Sequence, residues 1–261
     1  MKYFFTLKKI ALFFIAFFLF SCASRKDLVY YQDIDGLAHI DKPISYEIKI
    51  QPDDLLSIIV SADDPEIALP FNVKSYNTIN ARNAVDQVIY QPYLVDKNGF
   101  IDFPILGKLN VLGLTRTEVL HLLHDKIAVY IKDPVITLRI TNFKVSVQGE
   151  VTLPGIYPIA SERVTLIEAL SMARDLTIYG KRNNILIIRE TNGVKSYNRV
   201  DITKSNFINS PFYYLAQNDV IYVEPNKTKI NGAAVGANTG VFISITSLLI
   251  TVATLIITST K

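Results

Sequence analysis

The chain has 261 residues, 49% of them hydrophobic and 20% charged, and a formal net charge of +3 from 27 basic and 24 acidic residues. Three of the basic residues, Lys2, Lys8 and Lys9, lie in a leading segment; without it 24 charges of each sign remain, so no basic excess points to nucleic acid. Cys22 is the only cysteine, which excludes an intramolecular disulfide.

Residues 1–21 read as a secretory signal peptide, with a basic start and an apolar run over residues 10–20. That run is too short for a bilayer core, which takes about 20 apolar residues. Leu19-Phe20-Ser21-Cys22 resembles a lipobox, with Cys22 at the position that is acylated. The expectation is that Cys22 carries lipid and becomes the mature N-terminus. Residues 22–43 are polar and irregular and read as a tether.

From residue 46 the pattern becomes strand-rich. Residues 46–50 alternate, Pro52-Asp53-Asp54 turns, and residues 55–60 form an apolar strand. Residues 61–86 are polar, with few periodic apolar positions, and read as a long loop or insertion. Strands are expected around 87–95 and 100–103, flanking Asp96-Lys97-Asn98-Gly99, a hairpin signal because Asn-Gly tolerates positive φ. Thr115-Arg116-Thr117-Glu118 is a capping box. It starts a helix to about Tyr130, with Val119, Leu120, Leu123 and Ile127 on the apolar face.

Strands over 135–140 and 143–148 follow, and Leu153-Pro154-Gly155-Ile156 fits a type II turn. A second capping box, Thr165-Leu166-Ile167-Glu168, opens a helix ending before Gly180. Strands over 185–189 and 194–200 meet at Asn192-Gly193, and residues 220–223 form the last strand. The order predicts an α+β fold in which a strand–helix–strand unit occurs twice.

After an Asn/Gly-rich linker over 226–240, residues 241–258 carry no charge. Gly236, Gly240, Ser244, Ser247, Thr251, Thr254 and Thr258 recur at three- and four-residue spacing, which puts them on one line of a helix. The other faces carry Val241, Phe242, Ile245, Leu248, Leu249, Val252, Leu255 and Ile256. The pattern predicts a single transmembrane helix over 241–258. Its stripe of small residues either packs against other helices or lines water in a ring of them, and both readings imply oligomers.

Catalytic signals are weak. His121 and His124, beside Asp125, lack the third ligand and base of a hydrolytic zinc site. Asp53-Asp54 and Asp63-Asp64 are paired carboxylates in turn contexts, where aspartate is expected for its local hydrogen bonding. There is no Walker motif and no GxSxG elbow, so no catalytic residue, metal or cofactor is assigned.

Taken together, several motifs resemble the polysaccharide biosynthesis/export protein family. They begin with Tyr46, Ile48, Pro52, Asp54, Leu56 and Ile58, where Asp53 stands in place of the family's usual glycine. Tyr93, Val95-Asp96, Gly99, Ile101, Phe103-Pro104 and Leu106-Gly107 continue the match, followed by Gly113, Thr115 and Glu118, then Tyr130, Asp133-Pro134 and Ile136. From Val145-Ser146-Val147-Gln148-Gly149-Glu150-Val151 through Pro154-Gly155 and Tyr157, the chain is similar to the SLBB (soluble-ligand-binding β-grasp) domain. Thr165 to Leu170, Gly180, Arg182 and Asn218 to Val223 fit the rest of that domain.

The resemblance implies an export-family α/β module over 44–141 and one SLBB-like β-grasp module over 142–225. It implies a homo-oligomeric ring with a periplasmic body, lipid-anchored in the outer membrane, whose C-terminal helices form a barrel. Such a ring would be a passive, non-catalytic channel for capsular or extracellular polysaccharide. With one SLBB-like segment the body should be short and need an inner-membrane partner, a chain-length-determining copolymerase or an associated tyrosine kinase. The alternative is a lipid-anchored envelope scaffold or polysaccharide-binding protein that forms no pore.

Overall fold

Alternate residues of β1 (Leu55–Ser61) point into one core, Leu56, Ile58 and Val60 being buried and their neighbours not. A computed structural model of the chain describes residues 26, 28–36, 47–76, 88–191, 193–234 and 239–259. Residues 1–21, read as a signal peptide, and Cys22, Gly236 and Asn192 lie outside the described residues.

The first unit continues through α1 (Pro65–Ala68), β2 (Lys74–Tyr76), β3 (Val88–Tyr90), β4 (Tyr93–Leu94), β5 (Phe100–Phe103), β6 (Gly107–Asn110), α2 (Arg116–Ile127) and β7 (Val135–Ile140). β1 is the centre of a three-stranded antiparallel sheet with β4 and β7 at its sides. Val119, Leu123 and Ile127 of α2 close the core over Leu56, Ile58, Val60 and Leu138. The segment read as a loop over 61–86 contains α1, a 3-10 turn at Leu69–Phe71 and β2. Asn72 organises it, its amide donating to Val60 O and Ala68 O while Val60 N donates to its carbonyl.

The expected hairpin around Asn98-Gly99 is arranged differently. β4 joins β1, whereas β5 pairs with β6, a strand the sequence reading omits. Gly99 does take a left-handed φ of +84°, and a Cβ there would lie 2.2 Å from Leu112 Cβ. The glycine is thus required by a close approach as well as by the turn.

The second unit comprises β8 (Lys144–Gly149), β9 (Gly155–Pro158), α3 (Leu166–Met172), β10 (Gly180–Thr191), β11 (Val194–Val200) and β12 (Val220–Pro225). Its sheet order is β11-β10-β12-β8-β9, with β12 and β8 parallel and the other pairs antiparallel. The first and last strands of the unit therefore lie side by side at the sheet's centre. Val145, Val147, Ile185, Ile187, Ile221 and Val223 bury one face under Leu166, Ala169 and Leu170 of α3. Gly155 has no left-handed φ, so the expected type II turn is not formed; instead Gly155 pairs with Val147 in the ladder. The molecule is a mixed α and β fold.

Both capping boxes form as the sequence indicates. Thr115 N donates to Glu118 Oε2 at 2.7 Å and Glu118 N to Thr115 Oγ1 at 3.3 Å. The Thr165 and Glu168 pair repeats this at 2.7 and 3.1 Å. The helices are shorter than their apolar periodicity suggests, ending at Ile127 and Met172.

The C-terminal region holds two helices, α4 (Lys227–Ala234), inside the segment read as linker, and α5 (Thr239–Ser259). Among the described residues no helix is long and apolar enough to cross a membrane. This corrects the expectation of a single transmembrane helix over 241–258. Within this helix Ser244, Thr246, Ser247, Thr251 and Thr254 are interleaved with the apolar residues.

Candidate functional site

Three features lie outside what the two cores need: a strap near the N-terminus, a cleft between the units, and the bare helix α5.

The strap is formed by residues within the segment read as a tether. Tyr31 N donates to Ile202 O at 3.3 Å and Gln32 N to Thr203 O at 2.8 Å, which lays residues 31–32 against the chain beyond β11. Ser205 N donates to Asp33 Oδ1 at 2.6 Å, and this bond holds the Asp33 carboxyl below its ordinary range. The Tyr31 ring stacks on Phe207, centroids 5.5 Å apart. Tyr30 Oη donates to Asp175 Oδ1 at 2.5 Å, with the Arg182 guanidinium 5.5 Å from its ring centre. Burial first, then the Asp175 carboxylate, pushes the Tyr30 hydroxyl well above its usual range. The other end of the unit leaves from the same neighbourhood. Asn226 N donates to Tyr179 O at 2.7 Å, and Lys229 of α4 lies 5.2 Å from the Tyr179 ring centre.

The joint between the units is tightly bonded. The Asn142 side chain accepts from Leu55 N at 2.9 Å and donates to Asp53 O at 2.8 Å. Its backbone carbonyl accepts from Gln217 Nε2 at 2.9 Å, and Gln217 Oε1 accepts from Lys144 N at 2.9 Å. Beside this joint lies a cleft of ≈ 610 Å³, lined from the first unit by Glu47, Ile48, Arg116, Thr117, Arg139 and Ile140, and from the second by Phe143, Ala160, Ser161, Glu162 and Arg163. Arg116 spans it, its Nε donating to Leu138 O at 3.0 Å and lying 3.3 Å from Glu162 Oε1. Arg163 stands 5.6 Å from the Tyr214 ring centre. No sequence motif joins Arg116, Arg139 and Arg163, since they come from three separate elements.

On α5 every side chain described is exposed, so the chain itself does not cover this helix. Gly240, Ser244, Ser247, Thr251, Thr254 and Thr258 share one side of it. Its hydroxyls bond back to the helix: Ser244 Oγ to Gly240 O at 2.7 Å, Thr251 Oγ1 to Ser247 O at 2.8 Å, Thr258 Oγ1 to Thr254 O at 2.9 Å. Each hydroxyl therefore has a partner without help from water or a neighbouring chain.

The carboxylate pairs have structural roles. Asp54 is fully buried in the turn before β1, where its Oδ2 accepts from Gln51 N at 2.9 Å. Asp53 sits at φ 68°, the left-handed region that glycine tolerates best. Asp64 caps α1, accepting from Glu66 N at 3.0 Å. His121 and His124 project from α2 into solvent, and His124 Nδ1 lies 3.9 Å from Asp125 Oδ1. Among the described residues no three metal-ligating side chains gather.

Residues 42–141 match the family described as polysaccharide biosynthesis/export protein. The chain is 30% identical over 215 residues to the EPS I polysaccharide export outer membrane protein EpsA of Ralstonia solanacearum, covering 79% of this chain and 55% of that protein. It is 34% identical over 146 residues to the protein of the same name from Ralstonia nicotianae, covering 54% of this chain and 38% of the relative. The chain thus spans about half the length of the first relative and less of the second.

Proposed function

We propose that this chain, whose residues 42–141 match the polysaccharide biosynthesis/export protein family, is a non-catalytic component of polysaccharide export at the outer membrane. The names of both relatives support this reading. In its finer form the protein is one subunit of a homo-oligomeric ring through which a capsular or extracellular polysaccharide passes. The second unit serves as an SLBB-like β-grasp module, a reading supported by its parallel central strands. Conduction is passive, since a polymer held tightly at any point would stall.

The observation that carries the proposal is α5: a 21-residue helix without a charged residue, whose described side chains its own chain leaves exposed. Neighbouring copies of α5 pack along the stripe of small residues, where backbones approach closely. The stripe then faces the interior of the ring, and Phe242, Leu248, Leu249 and Leu255 face lipid. The bundle, and not one helix, then meets the membrane. Lipid on Cys22 would hold the strap side of the second unit toward the same membrane, because the strap and the start of α4 dock on one stretch, residues 175–182. The body then points into the periplasm, toward an inner-membrane partner such as a chain-length-determining copolymerase or tyrosine kinase.

Deletion of residues 236–261 should abolish polysaccharide export while the soluble body keeps its circular dichroism and melting transition. Unchanged export would refute the channel reading. A scaffold without a pore is the second reading, favoured by the back-bonded hydroxyls, which need no water. Single cysteines in the full chain separate the two: Ser247→Cys or Thr251→Cys labelled by a water-soluble thiol reagent, with Leu248→Cys silent, indicates a lumen. Silence at all three indicates closed packing.

A further inference from the structure

The cleft between the two units has the composition of a ligand site and no structural task that requires it. Its volume, ≈ 610 Å³, lies in the range of small-molecule pockets, and domain junctions are where such pockets concentrate. Three arginines reach it from three elements, Arg116 from the first turn of α2, Arg139 from β7 and Arg163 from the loop before α3. Only Arg116 is paired with a carboxylate, Glu162 at 3.3 Å. Among the described residues Arg139 and Arg163 have no acidic partner within salt-bridge distance.

We propose that this cleft binds an acidic sugar residue, a uronate, its carboxylate held by the Arg139 and Arg163 guanidiniums. This rests on the export reading and names a substrate class for it. A guanidinium fork matches a planar carboxylate in two parallel hydrogen bonds. The Thr117 and Ser161 hydroxyls suit ring hydroxyls, and Ile140 with Phe143 offers an apolar floor to the C–H face of a pyranose. Glu162, paired with Arg116 at 3.3 Å, is the acidic group of the second unit in this lining and opposes an incoming carboxylate. Because the lining comes from both units, the Asn142 joint fixes the cleft's width, and the ligand reads their relative placement.

The test uses the full chain in mild detergent, titrated by calorimetry with oligogalacturonate and, separately, with a neutral malto-oligosaccharide of equal length. The expected result is saturable binding of oligogalacturonate alone, weakening with added salt. Arg139→Ala should weaken it about tenfold or more, the loss expected for one charge-assisted contact. Arg199→Ala, which removes a pair with Glu224 outside the cleft, should leave it unchanged. Glu162→Gln should tighten it. Equal binding of both saccharides, no binding of either, or an Arg139→Ala protein that melts normally and binds as the parent does would overturn the proposal. Any of these can occur while export still depends on residues 236–261, so the two readings fail separately.

Discussion

Asp54 is a fully buried carboxyl whose Oδ1 has no hydrogen-bond partner among the described residues. Burial, with a smaller contribution from the neighbouring Asp53 charge, raises its pKa from 3.8 to about 6. The folded protein therefore keeps this proton to higher pH than the unfolded chain does. Stability from the group is complete below about pH 4 and falls as pH rises toward about 6. Asp54→Asn removes the ionisation while keeping an acceptor for Gln51 N. Its melting temperature should exceed the parent's at pH 7 and approach it at pH 4; parallel curves for the two proteins across that range would contradict this. Asp53 differs in kind. Its left-handed φ is one that glycine adopts most easily, and only the coordinates, not the local pattern, reveal that the turn forms with aspartate there.

Among the elements, the helix starts are the most local features and were the most legible. Thr165→Ala removes the acceptor for Glu168 N and should cost about 1 kcal/mol, measured by denaturant unfolding of the full chain. A loss well above that would mean the threonine also supports packing below α3. Legibility declines with sequence distance. The alternation in β1 identifies its buried side from seven residues, but its partners, β4 and β7, are chosen by a core assembled from distant segments. The same holds for β6, whose sequence Gly107-Lys108-Leu109-Asn110 buries only Leu109 and carries little apolar pattern. The spacing of the small residues from Gly240 to Thr258 was legible, because helical periodicity needs no partner; what they face was not. The cleft was not readable at all: Arg116, Arg139 and Arg163 become neighbours only through the fold.

At the scale of the whole molecule, the Arg189–Asp219 pair ties β10 to the turn before β12 and the Asn142 joint ties one unit to the other, whereas the strap ties residues 30–33 to the second unit between residues 175 and 207. Tyr31→Ala should release it, removing the Phe207 stack. The expected signature is faster amide exchange at Gln32 and Ser205, with the cores unaffected; unchanged exchange there would show that Asp33 and Tyr30 hold the strap alone. Docking of the strap joins residues 172 apart in sequence, Asp33 and Ser205. Such a contact waits for both ends of the chain and carries a large closure entropy. The strap is therefore the last part of the body to settle and the first to leave.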